Sequence, residues 1–131
     1  MKNFRQFITE GSDNMTFYHG TQVQHIESFL KNGVIANKNH DNTETSYLTK
    51  DSMVAFEYAG MLGGKSNSNE EPDRIEDDLR VVFRFSIPKD WVEEHAIKDY
   101  GDIEREVAFD TSIPPKFIKD YKVGEHYGTD Q

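Results

Sequence analysis

Cysteine is absent from this 131-residue sequence. Without a thiol, disulfides and thiolate metal sites are excluded, and no oxidising compartment is implied. Long hydrophobic runs are missing too: no stretch approaches the roughly 18 consecutive apolar residues of a membrane helix. The opening MKNFRQFITEG has spaced rather than continuous apolar residues, so it does not read as a secretory signal. Positive charge is scarce: 15 Lys and Arg stand against 24 Asp and Glu, a formal net charge of −9. A phosphate backbone repels such a surface, which disfavours general nucleic-acid binding. The same surface suits solubility, a basic partner or mimicry of a polyanion.

What is present is the composition of a globular protein, with 12% aromatic and 30% charged residues, at the length of one ordinary domain. Phe4, Phe7 and Ile8 share one face of a short N-terminal helix, and GSDN follows as a linker. TFYHGT, Thr16 to Thr21, reads as a strand ending at His19. Val23 to Asn32 reads as a helix with Val23, Ile26, Phe29 and Leu30 on one face and Gly33 as its stop. The polar stretch Asn37 to Thr45 is expected to be a loop, and SYLT, Ser46 to Thr49, a short strand. Asp51 caps a second expected helix, Ser52 to Met61, with an apolar line of Val54, Ala55, Tyr58 and Leu62.

Gly63 to Asp78 is almost wholly polar and is expected to be a mobile loop. Arg80 to Ile87 alternate as a strand, with Val81, Phe83, Phe85 and Ile87 facing one way and Val82, Arg84 and Ser86 the other. A short helix over Asp90 to Ile97 and a strand over Glu104 to Asp110 follow. Pro114 and Pro115 bar a central strand but allow a turn or an edge, and the tail after Gly124 looks loose. The order of elements gives an α+β fold with two early helices and small, split β-sheets.

Four features carry possible chemistry. His19-Gly20-Thr21 places an imidazole at a strand end, followed by the residue that lets a backbone come close to something. Tyr47 is followed by Tyr58 in the next helix. Glu104 and Glu106 are two apart in a strand and share one face. The run VAFDTSIPPKFI comes after them. Taken singly, these read most simply as a turn histidine, core tyrosines, a solvated sheet face and a strand with a turn.

In this order, YHGT, then YLT with a second tyrosine in the helix beyond, then a glutamate opening a late strand that leads into IPP, the set resembles the NAD-dependent ADP-ribosyltransferases. It is most similar to their His-Tyr-Glu branch, over Thr16 to Ile118 and within a domain spanning residues 15–124. The resemblance implies a compact fold around an NAD cleft, with NAD as substrate and no metal. It gives Glu106 the catalytic role, through a hydrogen bond to a ribose hydroxyl. Tyr47 and Tyr58 would stack on nicotinamide, His19 would bind the ribose at the adenosine end, and Gly20 and Thr21 would complete the NAD site. Glu104-Arg105-Glu106 also resembles the E-x-E signature of the family's other branch, which implies an acceptor-facing, catalytic role for Glu104.

These residue types suit the reaction. Cleavage between nicotinamide and ribose passes through an oxocarbenium-like transition state. Aromatic faces attract the cationic nicotinamide, and that attraction fades as the ring leaves neutral. A carboxylate beside the ribose acts mainly on the charge that develops in the transition state.

The N-terminus also resembles the capsid-targeting peptide of internal head proteins in T-even-like phages. The cut would follow Ile8-Thr9-Glu10, with residues 1–10 as a removable peptide. That implies a virion protein, a bacteriophage origin, delivery to the host cytoplasm and a host macromolecule, protein or nucleic acid, as acceptor. A monomer without a membrane partner is expected. The alternative is an inactive acidic binding module or DNA mimic that inhibits a host factor.

Overall fold

The computed structural model describes residues 13–61, 75–97 and 106–128. The N-terminal peptide, most of the polar loop and Glu104 fall outside these residues. In chain order the elements are β1 (Asn14–Gln22), α1 (Ile26–Asn32), β2 (Asn37–Lys38), β3 (Glu44–Leu48), α2 (Ser52–Ala59), β4 (Arg80–Pro88), α3 (Lys89–His95), β5 (Val107–Phe109) and β6 (Ile118–Val123). They build an α+β fold with two three-stranded antiparallel sheets, ordered β1-β4-β6 and β2-β3-β5.

The alternation of β4 is the organising pattern. Its odd-numbered residues Val81, Phe83, Phe85 and Ile87 are fully buried. They join Phe17 of β1, Leu48 of β3, Val107 and Phe109 of β5 and Val92 of α3 in one apolar cluster that draws on both sheets. Each such side chain contributes on the order of 2 kcal/mol. On the even side, Val82 packs with Tyr18, Ala55, Phe56 and Tyr127 in a second cluster. That face is covered by α2, whose first turn is capped as expected, the Asp51 carboxylate accepting from the Met53 N–H at 2.9 Å.

Several expectations are refined. The first helix begins as a 3₁₀ turn, Val23–His25, before α1, and Leu30 is 47% exposed rather than packed. Gly33 ends α1 with φ +72, and the Ile113 carbonyl oxygen would lie 2.0 Å from any Cβ there, so only glycine fits. The expected loop over Asn37 to Thr45 is a tight hairpin, with Asn37 opposite Thr45 and Lys38 opposite Glu44. Pro114 is extended and caps a 3₁₀ turn, Pro115–Phe117, that feeds the edge strand β6. The segment after Gly124 is not loose: Tyr127 is only 5% exposed.

Besides the shared core, a backbone bridge links the two sheets. The Tyr18 N–H donates to the Thr49 carbonyl at 2.7 Å and the Thr49 N–H returns to the Tyr18 carbonyl at 2.9 Å. This isolated bridge ties the middle of β1 to the end of β3.

Candidate functional site

Backbone pairing converges three distant stretches of sequence on that junction. The bridge at Tyr18 sets His19 and Gly20 beside β3. The register that pairs Leu48 with Val107 and Tyr47 with Ala108 brings Glu106 to the Thr49 end of β3. Helix α2 then packs across β1 at Gly20, where the Ala55 carbonyl oxygen would lie 1.8 Å from a Cβ. Gln22 fastens the far end of the helix, its Nε2 donating to the Ala59 carbonyl at 2.8 Å. Tyr58, three residues after Ala55, is therefore on the face turned to β1.

A crevice opens at this junction. A cavity of about 90 Å³ is lined by Tyr18, His19, Gly20, Tyr47, Leu48, Thr49, Ala55, Tyr58 and Glu106. Five of the residues singled out in the sequence, His19, Gly20, Tyr47, Tyr58 and Glu106, thus line one cavity. Tyr58 is 44% exposed, so it is not sealed in the core. A second cavity of about 310 Å³ is lined by His19, Phe29, Gly33, Ile35, Asn37, Ser46, Tyr47 and others. His19 and Tyr47 line both.

Thr21 is buried and lines neither cavity. Glu104 lies outside the described residues. The reason for Gly20 also differs from the expectation: the group that comes close to its backbone is the α2 carbonyl of Ala55. Tyr18, Leu48, Thr49 and Ala55 complete the wall and were not anticipated. Tyr18 had a signal in its place beside His19 and Ala55 in the apolar line it shares with Tyr58, but the docking of that line on Gly20 is set by packing that no local pattern records.

His19 has a defined chemical state. Its Nδ1 lies 3.3 Å from the carbonyl oxygen of Tyr47. A carbonyl only accepts, so Nδ1 carries the hydrogen and Nε2 keeps its lone pair. Desolvation by burial lowers the pKa to about 4, outweighing the Tyr47 hydrogen bond that acts to raise it. The imidazole is therefore neutral near pH 7 and can accept a hydrogen bond through Nε2. Its ring packs against Phe29, with centroids 5.2 Å apart.

The site thus combines a neutral acceptor, two phenol rings and one carboxylate. No cluster of His, Cys, Asp or Glu able to hold a metal occurs among the described residues. No helix among them is long and apolar enough to cross a membrane. Among the described residues, no lysine or arginine lines either cavity. No protein-family model matches the chain, and no curated protein matches it in sequence.

Proposed function

We propose that this protein is a mono-ADP-ribosyltransferase of phage origin that transfers ADP-ribose from NAD to a host macromolecule. The observation that carries the reading is the convergence of His19, Tyr47, Tyr58 and Glu106 on one crevice. These residues are far apart along the chain, and an ADP-ribosyltransferase site requires them to meet.

The arrangement suits a ligand with two ends. The smaller cavity, flanked by Tyr47 and Tyr58, takes the flat cationic nicotinamide by stacking and cation–π attraction. The larger one takes the adenosine half, and His19, on the wall of both, accepts a hydrogen from a ribose hydroxyl through Nε2. Glu106 accepts a ribose hydroxyl on the nicotinamide side, where its negative charge favours the oxocarbenium-like sugar. The bond from C1′ to the nicotinamide nitrogen breaks and its electron pair leaves with neutral nicotinamide. The acceptor nucleophile then bonds to C1′ and gives up its proton to solvent. The cation–π attraction fades as the positive charge leaves the ring, so it serves to bind NAD and lets neutral nicotinamide go, while the gain in rate comes from Glu106, whose attraction grows as charge develops on the sugar.

Residues 1–10, ending in Ile8-Thr9-Glu10, suit a capsid-targeting peptide, which would place the protein in the virion before it acts in the host cytoplasm. The test incubates the protein with adenylate-labelled NAD and bacterial lysate and measures both labelled product and released nicotinamide. The expected result is labelling by the natural sequence and a fall of roughly 10²–10³-fold with Glu106→Gln, as for loss of a group that stabilises transition-state charge. Equal labelling by both proteins, or by neither, contradicts the proposal.

A further inference from the structure

The segment after β6 is built onto the back of the crevice. Gly124, at φ +81, reverses the chain and its N–H donates to the Arg80 carbonyl at 2.8 Å. Tyr127 is then laid on the sheet face that α2 covers. Its N–H donates to Ser52 Oγ at 2.6 Å, at the first residue of α2. Its phenol donates to Asp120 Oδ1 at 2.7 Å. Its ring packs on Tyr18, centroids 5.5 Å apart, between Arg84 at 4.4 Å and Lys122 at 4.9 Å. One residue earlier, His126 meets Phe56 of α2 edge-on at 5.8 Å.

These partners are not an arbitrary set. Tyr18 lines the crevice and its backbone forms the bridge between the sheets. Ser52 begins the helix whose Ala55 and Tyr58 form the crevice's opposite side. We infer that residues 124–128 form a latch, with Tyr127 a positioning residue that fixes the separation of α2 from β1 and so the width of the crevice. Tyr127 touches two walls of the cavity from outside and lines neither cavity itself.

The chemistry of the latch supports a fixed rather than a sliding contact. Arg84 donates to both oxygens of Asp120, at 2.9 and 2.5 Å, which orients the carboxylate that receives the phenol. That pairing holds Asp120 below the usual carboxylate range. Burial, with the Asp120 hydrogen bond second, raises the Tyr127 pKa, so the phenol stays a donor at neutral pH. The backbone bond to Ser52 and the packing on Tyr18 do not need the hydroxyl. Tyr127→Phe is therefore the conservative variant, and Tyr127→Ala removes the wedge.

The functional part of this inference rests on the proposed reading of the crevice as an NAD site, so the test has one arm that needs no substrate. Hydrogen exchange is compared across Ser52–Ala59 and across β4 in the full chain carrying Tyr127→Ala, Tyr127→Phe or Ser52→Ala. The expected result is exchange about tenfold faster in α2 than in the natural sequence for Tyr127→Ala and Ser52→Ala, with β4 little changed and Tyr127→Phe close to normal. The second arm measures nicotinamide release: KM for NAD rises about tenfold in Tyr127→Ala and is largely restored in Tyr127→Phe, which keeps the ring that packs on Tyr18. Exchange that rises uniformly through both elements, or an unchanged KM in an active Tyr127→Ala enzyme, overturns the latch. Inactivity of the natural sequence overturns the NAD reading and leaves the exchange arm to decide the latch. Should Tyr127→Ala not fold, Ser52→Ala decides the exchange arm and, in an active enzyme, the KM arm, where normal values again overturn the latch.

Discussion

The carbonyl oxygen of Ala55 occupies the place where a side chain on Gly20 would begin. The contact joins α2 to β1 at the wall of the crevice, so the most ordinary substitution there has a structural and a functional consequence together. Gly20→Ala has to push the helix backbone outward, at a cost of about 3 kcal/mol in line with overpacked interiors. Urea unfolding should show that loss, and ligand binding at the crevice should fall with it because Tyr58 moves with the helix. A variant as stable as the natural sequence would mean that α2 does not sit this close.

Tyr58 offers a cleaner separation of binding from stability, since its side chain is 44% exposed. Tyr58→Ala should leave the unfolding midpoint nearly unchanged while raising KM for NAD about tenfold, the equivalent of roughly 1–2 kcal/mol of stacking and cation–π attraction. Tyr58→Phe keeps the ring face and should keep most of the affinity. Measurement of KM across the three proteins checks whether the ring face, rather than the hydroxyl, is what binds.

The depressed pKa of His19 makes a signed statement about pH. In the unfolded chain the imidazole takes up a proton near 6.5, and in the folded chain burial delays this to about 4. The unfolded state therefore binds more protons as pH falls through that window. The contribution of His19 is complete above pH 6.5 and is progressively lost between 6.5 and 4. Unfolding free energies measured at steps of pH should fall more steeply over this window in the natural sequence than in His19→Asn. Parallel curves would show that His19 is not desolvated. Since His19 stays neutral between pH 7 and 8, its titration should also leave KM for NAD flat across that interval.

Much of the framework was legible in the sequence, and the reasons are local. The alternation of β4, the Asp51 cap and the Gly33 stop are short-range signals, and the elements they announce are present at those places. The convergence of His19, Tyr47, Tyr58 and Glu106 could be read only through the family resemblance, because strand register and helix docking bring them together. Pattern alone also failed where partners are remote. Tyr127 follows a polar stretch and gives no periodic signal, yet Ser52, Tyr18 and Asp120 bury it. Spacing places Leu30 on the packed face of the first helix, but the element starts as a 3₁₀ turn and continues as a seven-residue helix on which Leu30 is exposed. Thr21 belongs to the motif by position but is buried away from both cavities.

In the proposed NAD site, two tyrosines from separate elements would hold one flat cationic ring beside a carboxylate. Magnetisation transfer between the nicotinamide protons of NAD and the protein tests it most directly, in Glu106→Gln so that the ligand survives the measurement. Transfer to the rings of both Tyr47 and Tyr58, abolished by excess nicotinamide, is the expected result. Transfer to neither ring, or no saturable binding of NAD up to about 1 mM, the upper end of ordinary KM values, would contradict it.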